Sequence, residues 1–305
     1  MRDLEAGTTG LVSADPNGFV GSGGSAFTSF SAHGRYVAFS SDANNLVADD
    51  TNGTTDVFVR DLQLGTTIRV SVDSAGNQAN NYSYSGSISA DGRHVAFTSS
   101  ASNLVAGDTN GFIDVYVRDL QLGTTTRVSV DSSGDEANGD SNFLELPSIS
   151  ADGRYVAFSS EASNLVAGDT NGVSDIFVRD LHLGTTTRVS VGSVGGQANG
   201  GSFEASISAD GRYVAFSSDA SNLVAGDTNS VEDVFVFDLQ RGTTTRVGVA
   251  PSGGQANNES FLPSISADGR HIAFNSVASN LVADDTNGDV DTFVADGQVL
   301  GWWVA

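Results

Sequence analysis

Five copies of a short acidic loop carry the side chains of this sequence best suited to chemistry. Each copy has the form Asp-Thr-Asn-x-x-x-Asp, so two carboxylates and a carboxamide recur at a fixed spacing. Oxygen donors at alternating positions, with a glycine at the sharp turn, are the ligands that calcium prefers in short loops. The sequence therefore predicts about one calcium ion per copy. The predicted ligands are Asp50, Asn52, Asp56, Asp108, Asn110, Asp114, Asp169, Asn171, Asp175, Asp227, Asn229, Asp233, Asp285, Asn287 and Asp291.

A turn without metal is the alternative interpretation of these loops, because Asp and Asn form Asx turns and Asn-Gly is a general turn signal. All five copies keep the Asp, Asn and Asp while the two residues before the last Asp vary, which favours calcium. The fifth loop adds Asp284 and Asp289, and the first adds Asp49, so we expect the fifth to bind most tightly. In the fourth loop Ser230 replaces the glycine and must adopt the backbone conformation of the turn.

The loops belong to a long internal repeat. Its phenylalanine falls at Phe39, Phe97, Phe158, Phe216 and Phe274, with steps of 58, 61, 58 and 58 residues. Val, Ile, Phe and Tyr concentrate in four short runs per copy, separated by Gly, Asn, Asp and Ser, which predicts four strands named a to d. In the third copy the predicted strands are Leu146–Ala151, Arg154–Ser160, Asp175–Asp180 and Thr186–Val191.

Strands b and c are apolar on both faces, which is typical of sheets stacked as the blades of a propeller. The predicted fold is all-β, a five-bladed β-propeller of four-stranded antiparallel blades in a single domain, 1–305. The last copy has no strand d, and residues 2–9 match residues 60–67, so Thr8–Ala14 is predicted to close the ring. The predicted boundaries are 2–15 for the closing strand, 25–72, 83–130, 144–191 and 202–249 for blades one to four, 260–296 for strands a to c of blade five, and 297–305 for a tail.

The tail contains Trp302 and Trp303. We expect these rings to cover apolar surface beside the last blade. Competition of the tail for the open edge of that blade, or its continuation into a further domain, are the alternatives.

The motif Ser-Ala-Asp-Gly-Arg-Tyr-Val-Ala-Phe-Ser-Ser, followed by Asp-Val-Phe-Val-Arg-Asp-Leu and Gly-Thr-Thr-Thr-Arg-Val, resembles the TolB-type propeller repeat over residues 2–296. The resemblance implies the fold and leaves function open, because such propellers serve as periplasmic scaffolds, peptide-binding platforms and accessory domains of peptidases. The sequence departs from that pattern in having alanine where proline usually precedes Asp-Gly. It also has a longer connection between strands b and c, which carries the acidic loop.

Composition excludes several classes of protein. With 37 acidic and 14 basic residues the net charge is −23, which argues against binding to nucleic acids or anionic membranes. There is no cysteine, and all the basic residues are arginine, so disulfides, thiolate metal sites and Schiff-base chemistry are excluded. No Gly-x-Ser-x-Gly elbow is present, and the four histidines fall at three different repeat positions. We therefore predict a monomer that is not an enzyme.

Variation among the copies is concentrated in the connections from strand d to strand a and at the start of strand a. In a propeller these segments rim the central channel, where a protein, peptide or glycan could bind. The candidate ligand-binding residues, aromatic and acidic, are Tyr82, Tyr84, Phe143, Glu145, Phe203, Glu204, Glu259 and Phe261.

These observations predict a non-catalytic, calcium-binding and calcium-stabilised binding scaffold that is extracellular or periplasmic. One alternative is a lectin-like propeller, in which loop aromatics stack on sugars. The other is an accessory propeller domain of a larger secreted hydrolase.

Overall fold

A computed structural model of the protein describes residues 7–142, 145–193 and 195–302. These residues form antiparallel sheets with almost no helix, which confirms the predicted all-β class and its repeated four-stranded sheets. The chain divides into two compact units, residues 1–128 and 129–305, and each is described on its own below.

Unit 1 contains two four-stranded sheets, whose strands follow one another in sequence order. Sheet 1 consists of β1 (Ser25–Phe30), β2 (Tyr36–Ser41), β3 (Asp56–Asp61) and β4 (Thr66–Arg69). Sheet 2 consists of β5 (Ser83–Ile88), β6 (His94–Ser99), β7 (Asp114–Asp119) and β8 (Thr124–Arg127).

Unit 2 contains three sheets and one short helix. Sheet 3 consists of β9 (Ser148–Ile149), β10 (Tyr155–Ser160), β11 (Asp175–Asp180) and β12 (Thr185–Arg188). Sheet 4 consists of β13 (Ser202–Ile207), β14 (Tyr213–Ser218), β15 (Asp233–Asp238) and β16 (Thr243–Arg246). Sheet 5 consists of β17 (Ser260–Ile265), β18 (His271–Ser276) and β19 (Asp291–Asp296), and α1 (Gly297–Leu300) follows it.

For the third copy, the predicted strands agree best with the observed strands at the centre of the sheet. Strand c lies at the predicted residues, whereas strand a is shortened to Ser148–Ile149 because the extra residues of this copy precede it. Ser141 makes an isolated bridge to Ser160 ahead of that insertion. Strand d ends at Arg188 because the chain then turns, with the amide of Val191 donating to the carbonyl of Val189 at 2.8 Å.

A cross-strand aromatic pair marks the centre of every sheet. Its two rings come from strands b and c and stack at centroid distances of 5.6 to 5.9 Å. Such pairs hold the register of neighbouring strands. The pairs are Phe39 with Phe58, Phe97 with Tyr116, Phe158 with Phe177, Phe216 with Phe235, and Phe274 with Phe293.

Neighbouring sheets within a unit pack face to face through branched apolar residues. In unit 1, Val59 of sheet 1 and Val95 of sheet 2 share one buried cluster. In unit 2, Val178 packs with Val214 between sheets 3 and 4, and Val236 belongs to the cluster between sheets 4 and 5. Strands b and c of sheets 1 to 4 therefore have both faces covered, as their apolar sequences predict. In sheet 5, by contrast, Val294 of strand c is 68% exposed.

Sheet 5 has three strands among the described residues, β17, β18 and β19. Closure of the ring by Thr8–Ala14 stays a prediction, and residues 2–6 of the proposed closing segment lie outside the described residues. In the tail, Trp302 is buried against sheets 4 and 5, while Trp303 lies outside the described residues. No helix in the described part of the chain is long and apolar enough to span a membrane.

Candidate functional site

The acidic loops connect strand b to strand c, and each brings its Asn and second Asp together. The Asn171 side-chain amide donates to the Asp175 carboxylate at 2.9 Å, and the equivalent bond of Asn287 to Asp291 measures 2.8 Å. The Asn171 carbonyl oxygen also accepts from the backbone amide of Val173 at 3.3 Å, which is an Asx turn. The asparagine is thus engaged within the loop.

An arginine that the sequence analysis missed lies between the two carboxylates of loops one to four. The Arg188 guanidinium at the end of β12 is 3.2 Å from Asp169 and 3.3 Å from Asp175. The same geometry recurs at distances of 3.2 to 3.7 Å in the other three loops. We call these groups the Arg–Asp–Asp clusters; their arginines are Arg69, Arg127, Arg188 and Arg246. The signal was the arginine that ends the Thr-Thr-Thr-Arg motif of three copies and the matching Thr-Thr-Ile-Arg of the first copy.

The second carboxylate of each cluster is fully buried in loops one to four. In loop three a serine is a further partner of this carboxylate, since the Ser190 hydroxyl donates to Asp175 at 2.5 Å. In loop four Gly248 stands at the serine position, and Asp233 Oδ1 is left buried without a hydrogen-bond partner. Burial accordingly raises the pKa of Asp233 to about 6. A buried carboxylate that loses a hydrogen bond holds its proton more tightly.

The fifth loop differs because the described part of its copy supplies no arginine to it. Asp284, Asp285, Asn287 and Asp291 line an open cavity of about 470 Å³ there. Across the described residues, no three His, Cys, Asp or Glu side chains are arranged to hold a metal ion. Calcium at the fifteen predicted ligands stays a prediction.

In loop four Ser230 adopts φ +58°, like the glycines at the same position of the other loops, as expected.

The predicted ligand-binding residues fall into two groups, one in each unit. In unit 1 the Tyr84 ring contacts Phe27 edge-on at 5.9 Å and Tyr82 at 5.6 Å between centroids. In unit 2, Glu145, Phe203 and Glu204 line one cavity. Glu259 is exposed and Phe261 half-buried on the neighbouring sheet 5, and Phe143 lies outside the described residues.

A repeated backbone feature lies beside both groups. The first strand of sheets 1, 4 and 5 contains a β-bulge at the same repeat position. The bulged residue is Phe27, Glu204 or Leu262, and each has a left-handed backbone with φ between +52° and +60°. This conformation costs a residue other than glycine about 1–2 kcal/mol. Bulges of this kind re-aim side chains and are common beside binding sites.

The cavity around Glu204 has about 400 Å³ of space and an acidic lining. We call it the carboxylate cavity; its acidic residues are Asp140, Glu145, Glu161, Glu204 and Glu232. The Glu145 carboxylate accepts from the backbone amide of Glu204 at 2.9 Å, and Glu204 accepts from the Ser217 hydroxyl at 3.2 Å. Sequence variation did not single out Glu161 or Glu232, because they lie on other connections of the repeat.

The carboxylates that line the carboxylate cavity lie close enough for their negative charges to repel each other. Burial, together with the negative charges of Glu204, Asp219 and Glu259, raises the pKa of Glu232 to about 7. Burial also raises the pKa of Glu145, and the charge of Glu204 adds to the rise. No arginine in the described part of the chain forms an ion pair with Glu145, Glu204 or Glu232. Among the described residues these three glutamates therefore have no arginine to neutralise them.

Comparison with known proteins identifies the fold. No protein-family model matches the chain, and no curated protein sequence matches it. A TolB from Agrobacterium tumefaciens matches 90% of this chain and 83% of its own length, with a TM-score of 0.51 at 17% identity. The chain has a TolB-type propeller fold. An oligogalacturonate lyase in complex with manganese also matches 90% of this TolB-type chain and 62% of its own length, with a TM-score of 0.54 at 13% identity.

The lengths of the matched proteins differ from that of this TolB-type chain. TolB from Acinetobacter baumannii matches 85% of it at 17% identity with a TM-score of 0.48, and the chain spans 53% of that protein. Because identities this low show the fold alone, and a lyase shares the fold, binding and catalysis must be argued from the site itself.

Proposed function

We propose that this TolB-type propeller is a non-catalytic binding scaffold, and that its carboxylate cavity takes a positively charged side chain of a partner polypeptide. The observation that carries the proposal is the cavity itself, which brings the carboxylates of Glu145, Glu204 and Glu232 together, and the raised pKa of Glu232 agrees with their repulsion. The positive charge of a guanidinium or ammonium group would offset the repulsion among the three carboxylates and favour the ionised form of each.

Size and location support the same ligand class. A volume of about 400 Å³ lies within the range of small-ligand sites, roughly 300–1,000 Å³. Phe203 forms one wall, against which the aliphatic part of an arginine or lysine side chain can pack. An extracellular or periplasmic location stays an expectation that goes with this proposal, since a binding scaffold there would meet exported polypeptides.

Neutralising one carboxylate should weaken binding of a cationic probe. Glu204→Gln and Glu232→Gln are each expected to weaken binding of a blocked Gly-Arg-Gly tripeptide by roughly 10- to 150-fold, because a hydrogen bond to a charged group contributes roughly 1.5–3 kcal/mol. Isothermal titration calorimetry measures the affinity. Binding should also strengthen as the pH rises through about 7, where Glu232 ionises.

The matched control is Asp135→Asn, which removes one negative charge from an exposed residue of the same unit outside the cavity. It should leave the affinity unchanged, and blocked Gly-Gln-Gly should not bind. Equal weakening by Asp135→Asn would mean that only net charge attracts the probe, and the cavity proposal would then be abandoned. Binding of a glycan in place of the tripeptide would instead favour the lectin-like alternative.

We also propose that calcium binds the fifth acidic loop, where the described residues place no arginine beside Asp285 and Asp291. The arginines of the Arg–Asp–Asp clusters already supply positive charge to loops one to four, so calcium there would compete with a guanidinium. In the fifth loop Asp284 also lines the cavity, and Asp284 and Asp289 add negative charge that attracts a divalent cation.

Millimolar calcium should raise the melting temperature, and a chelator should reverse the rise. A ligand at 100 times its dissociation constant stabilises a protein by about 2.7 kcal/mol. Asp285→Asn should abolish the calcium-induced rise, whereas Asp169→Asn, the same change in an arginine-containing loop, should keep it. A melting temperature that does not respond to calcium, or an equal loss in both variants, would contradict the proposal.

A further inference from the structure

Neighbouring sheets of one unit meet where a tyrosine ring of one sheet packs on a glycine in the Asp-Gly turn of the next. A β-carbon on any of these glycines would lie 2.2 to 2.5 Å from the ring. The pairs are Tyr36 with Gly92 in unit 1, and Tyr155 with Gly211 and Tyr213 with Gly269 in unit 2. We name the spaces beside these pairs cleft A, cleft B and cleft C, in that order.

Clefts A and B are open cavities of the same construction. Cleft A has a volume of about 350 Å³ and cleft B about 250 Å³. Beside the tyrosine and glycine, the walls are Val59 and Leu120 in cleft A, and Val178 and Leu239 at the matching repeat positions in cleft B. Two separate units of the chain thus build the same apolar recess with a polar rim.

Cleft C is filled by the chain itself. Trp302, which follows α1, is only 3% exposed and belongs to the same buried cluster as Tyr213 and Val236. Its indole N–H donates to the carbonyl oxygen of Gly269 at 3.2 Å. Tyr213 is 1% exposed, whereas Tyr36 and Tyr155 in the open clefts are half-buried.

One substitution distinguishes cleft C from the other two. Gly297 occupies the repeat position of Leu120 and Leu239, so no side chain from that position enters cleft C. The leucines of clefts A and B cover part of the same wall and leave their tyrosines half-exposed. In cleft C an indole covers the corresponding tyrosine fully. Walls of this composition therefore accept a flat apolar ring that carries one hydrogen-bond donor.

We propose that clefts A and B each take a tryptophan side chain of a partner polypeptide, seated as Trp302 is seated in cleft C. The indole N–H would donate to the carbonyl oxygen of Gly92 in cleft A and of Gly211 in cleft B. Tryptophan is a common anchor of protein interfaces because its large apolar ring also carries one hydrogen-bond donor. This site is distinct from the carboxylate cavity and does not depend on it.

A sugar fits these clefts less well than an indole. Sugars bind by stacking on a free aromatic face, but the Tyr36 ring has the Arg35 guanidinium 4.8 Å from its centroid and Gly92 packed against it. Tyr155 is covered in the same way by Arg154 and Gly211. The accessible surface is therefore the ring edge and the aliphatic side chains beside it.

N-acetyl-tryptophanamide is the probe, and two-dimensional ¹H–¹⁵N NMR of the whole chain follows its binding. We expect the amide signals of Gly92 and Gly211 to shift and saturate, while N-acetyl-leucinamide produces no saturating shift. Thr66→Tyr and Thr185→Tyr place a ring in cleft A and cleft B from exposed strand positions. Each should abolish the shift in its own cleft and keep the shift in the other.

Thr243→Tyr is the matched control, because it makes the same change at the same repeat position beside the filled cleft C. It should leave both shifts unchanged. Trp302→Ala should add a third responding signal, that of Gly269; where this variant fails to fold, the two blocking variants decide. The absence of saturating shifts at Gly92 and Gly211, or their persistence in the blocked variants, would overturn the proposal.

Discussion

Replacing Arg188 with alanine is expected to lower the free energy of unfolding by about 3–5 kcal/mol, the usual cost of removing one partner from a buried ion pair. The Arg188 guanidinium lies 3.2 Å from Asp169 and 3.3 Å from Asp175, whose side chains are 4% and 0% exposed. Without it, two carboxylates remain buried and repel one another. Urea denaturation followed by circular dichroism measures the change.

Arg154→Ala is the matched control in the same sheet. Arg154 pairs with Asp180 at 2.7 Å, but its side chain is 34% exposed, so the loss should not exceed about 1 kcal/mol. Equal losses in the two variants would show that the Arg–Asp–Asp cluster contributes no more than a surface pair. Addition of calcium to Arg188→Ala then asks whether a divalent cation can take the place of the guanidinium between the two carboxylates.

Gly211→Ala is expected to destabilise the protein by about 2–5 kcal/mol, from two causes. Its φ of +71° costs an alanine about 1–2 kcal/mol. The added β-carbon would also lie 2.2 Å from Cδ2 of Tyr155, and overpacking of this kind costs about 1–3 kcal/mol. Thermal and urea denaturation measure the effect.

Gly226→Ala separates the two causes, because Gly226 has φ +78° but no atom within 4 Å of the new β-carbon. It should show only the backbone cost. In a Tyr155→Ala background the tyrosine ring is absent, so Gly211→Ala should there cost only the backbone contribution to the free energy of unfolding. If Gly211→Ala and Gly226→Ala cost the same, the tyrosine–glycine contact does not constrain how sheets 3 and 4 pack.

The pH dependence of stability follows from the raised pKa of Glu232. Its folded pKa of about 7 lies above the ordinary value of 4.5, so the folded state binds the proton more tightly than the unfolded state. The stability that this proton contributes is complete below pH 4.5 and is lost as the pH rises through about 7. The same ionisation prepares the carboxylate cavity for a cation, so folding and ligand binding depend on pH in opposite directions.

Some functional features could be predicted from the sequence only in part. The Asp, Asn and Asp of each loop were identified as a group because seven consecutive residues contain them. The arginine beside them was not, although Arg188 recurs in register with the loop, because it comes from the following strand. Glu145 and Glu204 were identified by variation among copies, whereas Glu232, whose pKa is raised most clearly, was not.

By itself the sequence determined the repeat, the all-β class, the centre of each sheet and the conformation of single turn residues such as Ser230. These properties depend on alternation, turn chemistry and period, which act over a few neighbouring residues. Only the tertiary structure decided that Arg188 neutralises Asp169 and Asp175, that four glutamates share one cavity, and that Trp302 fills one of three equivalent clefts. Those contacts join residues distant in sequence, and they are set by how strands pair and how neighbouring sheets pack, which no local pattern records.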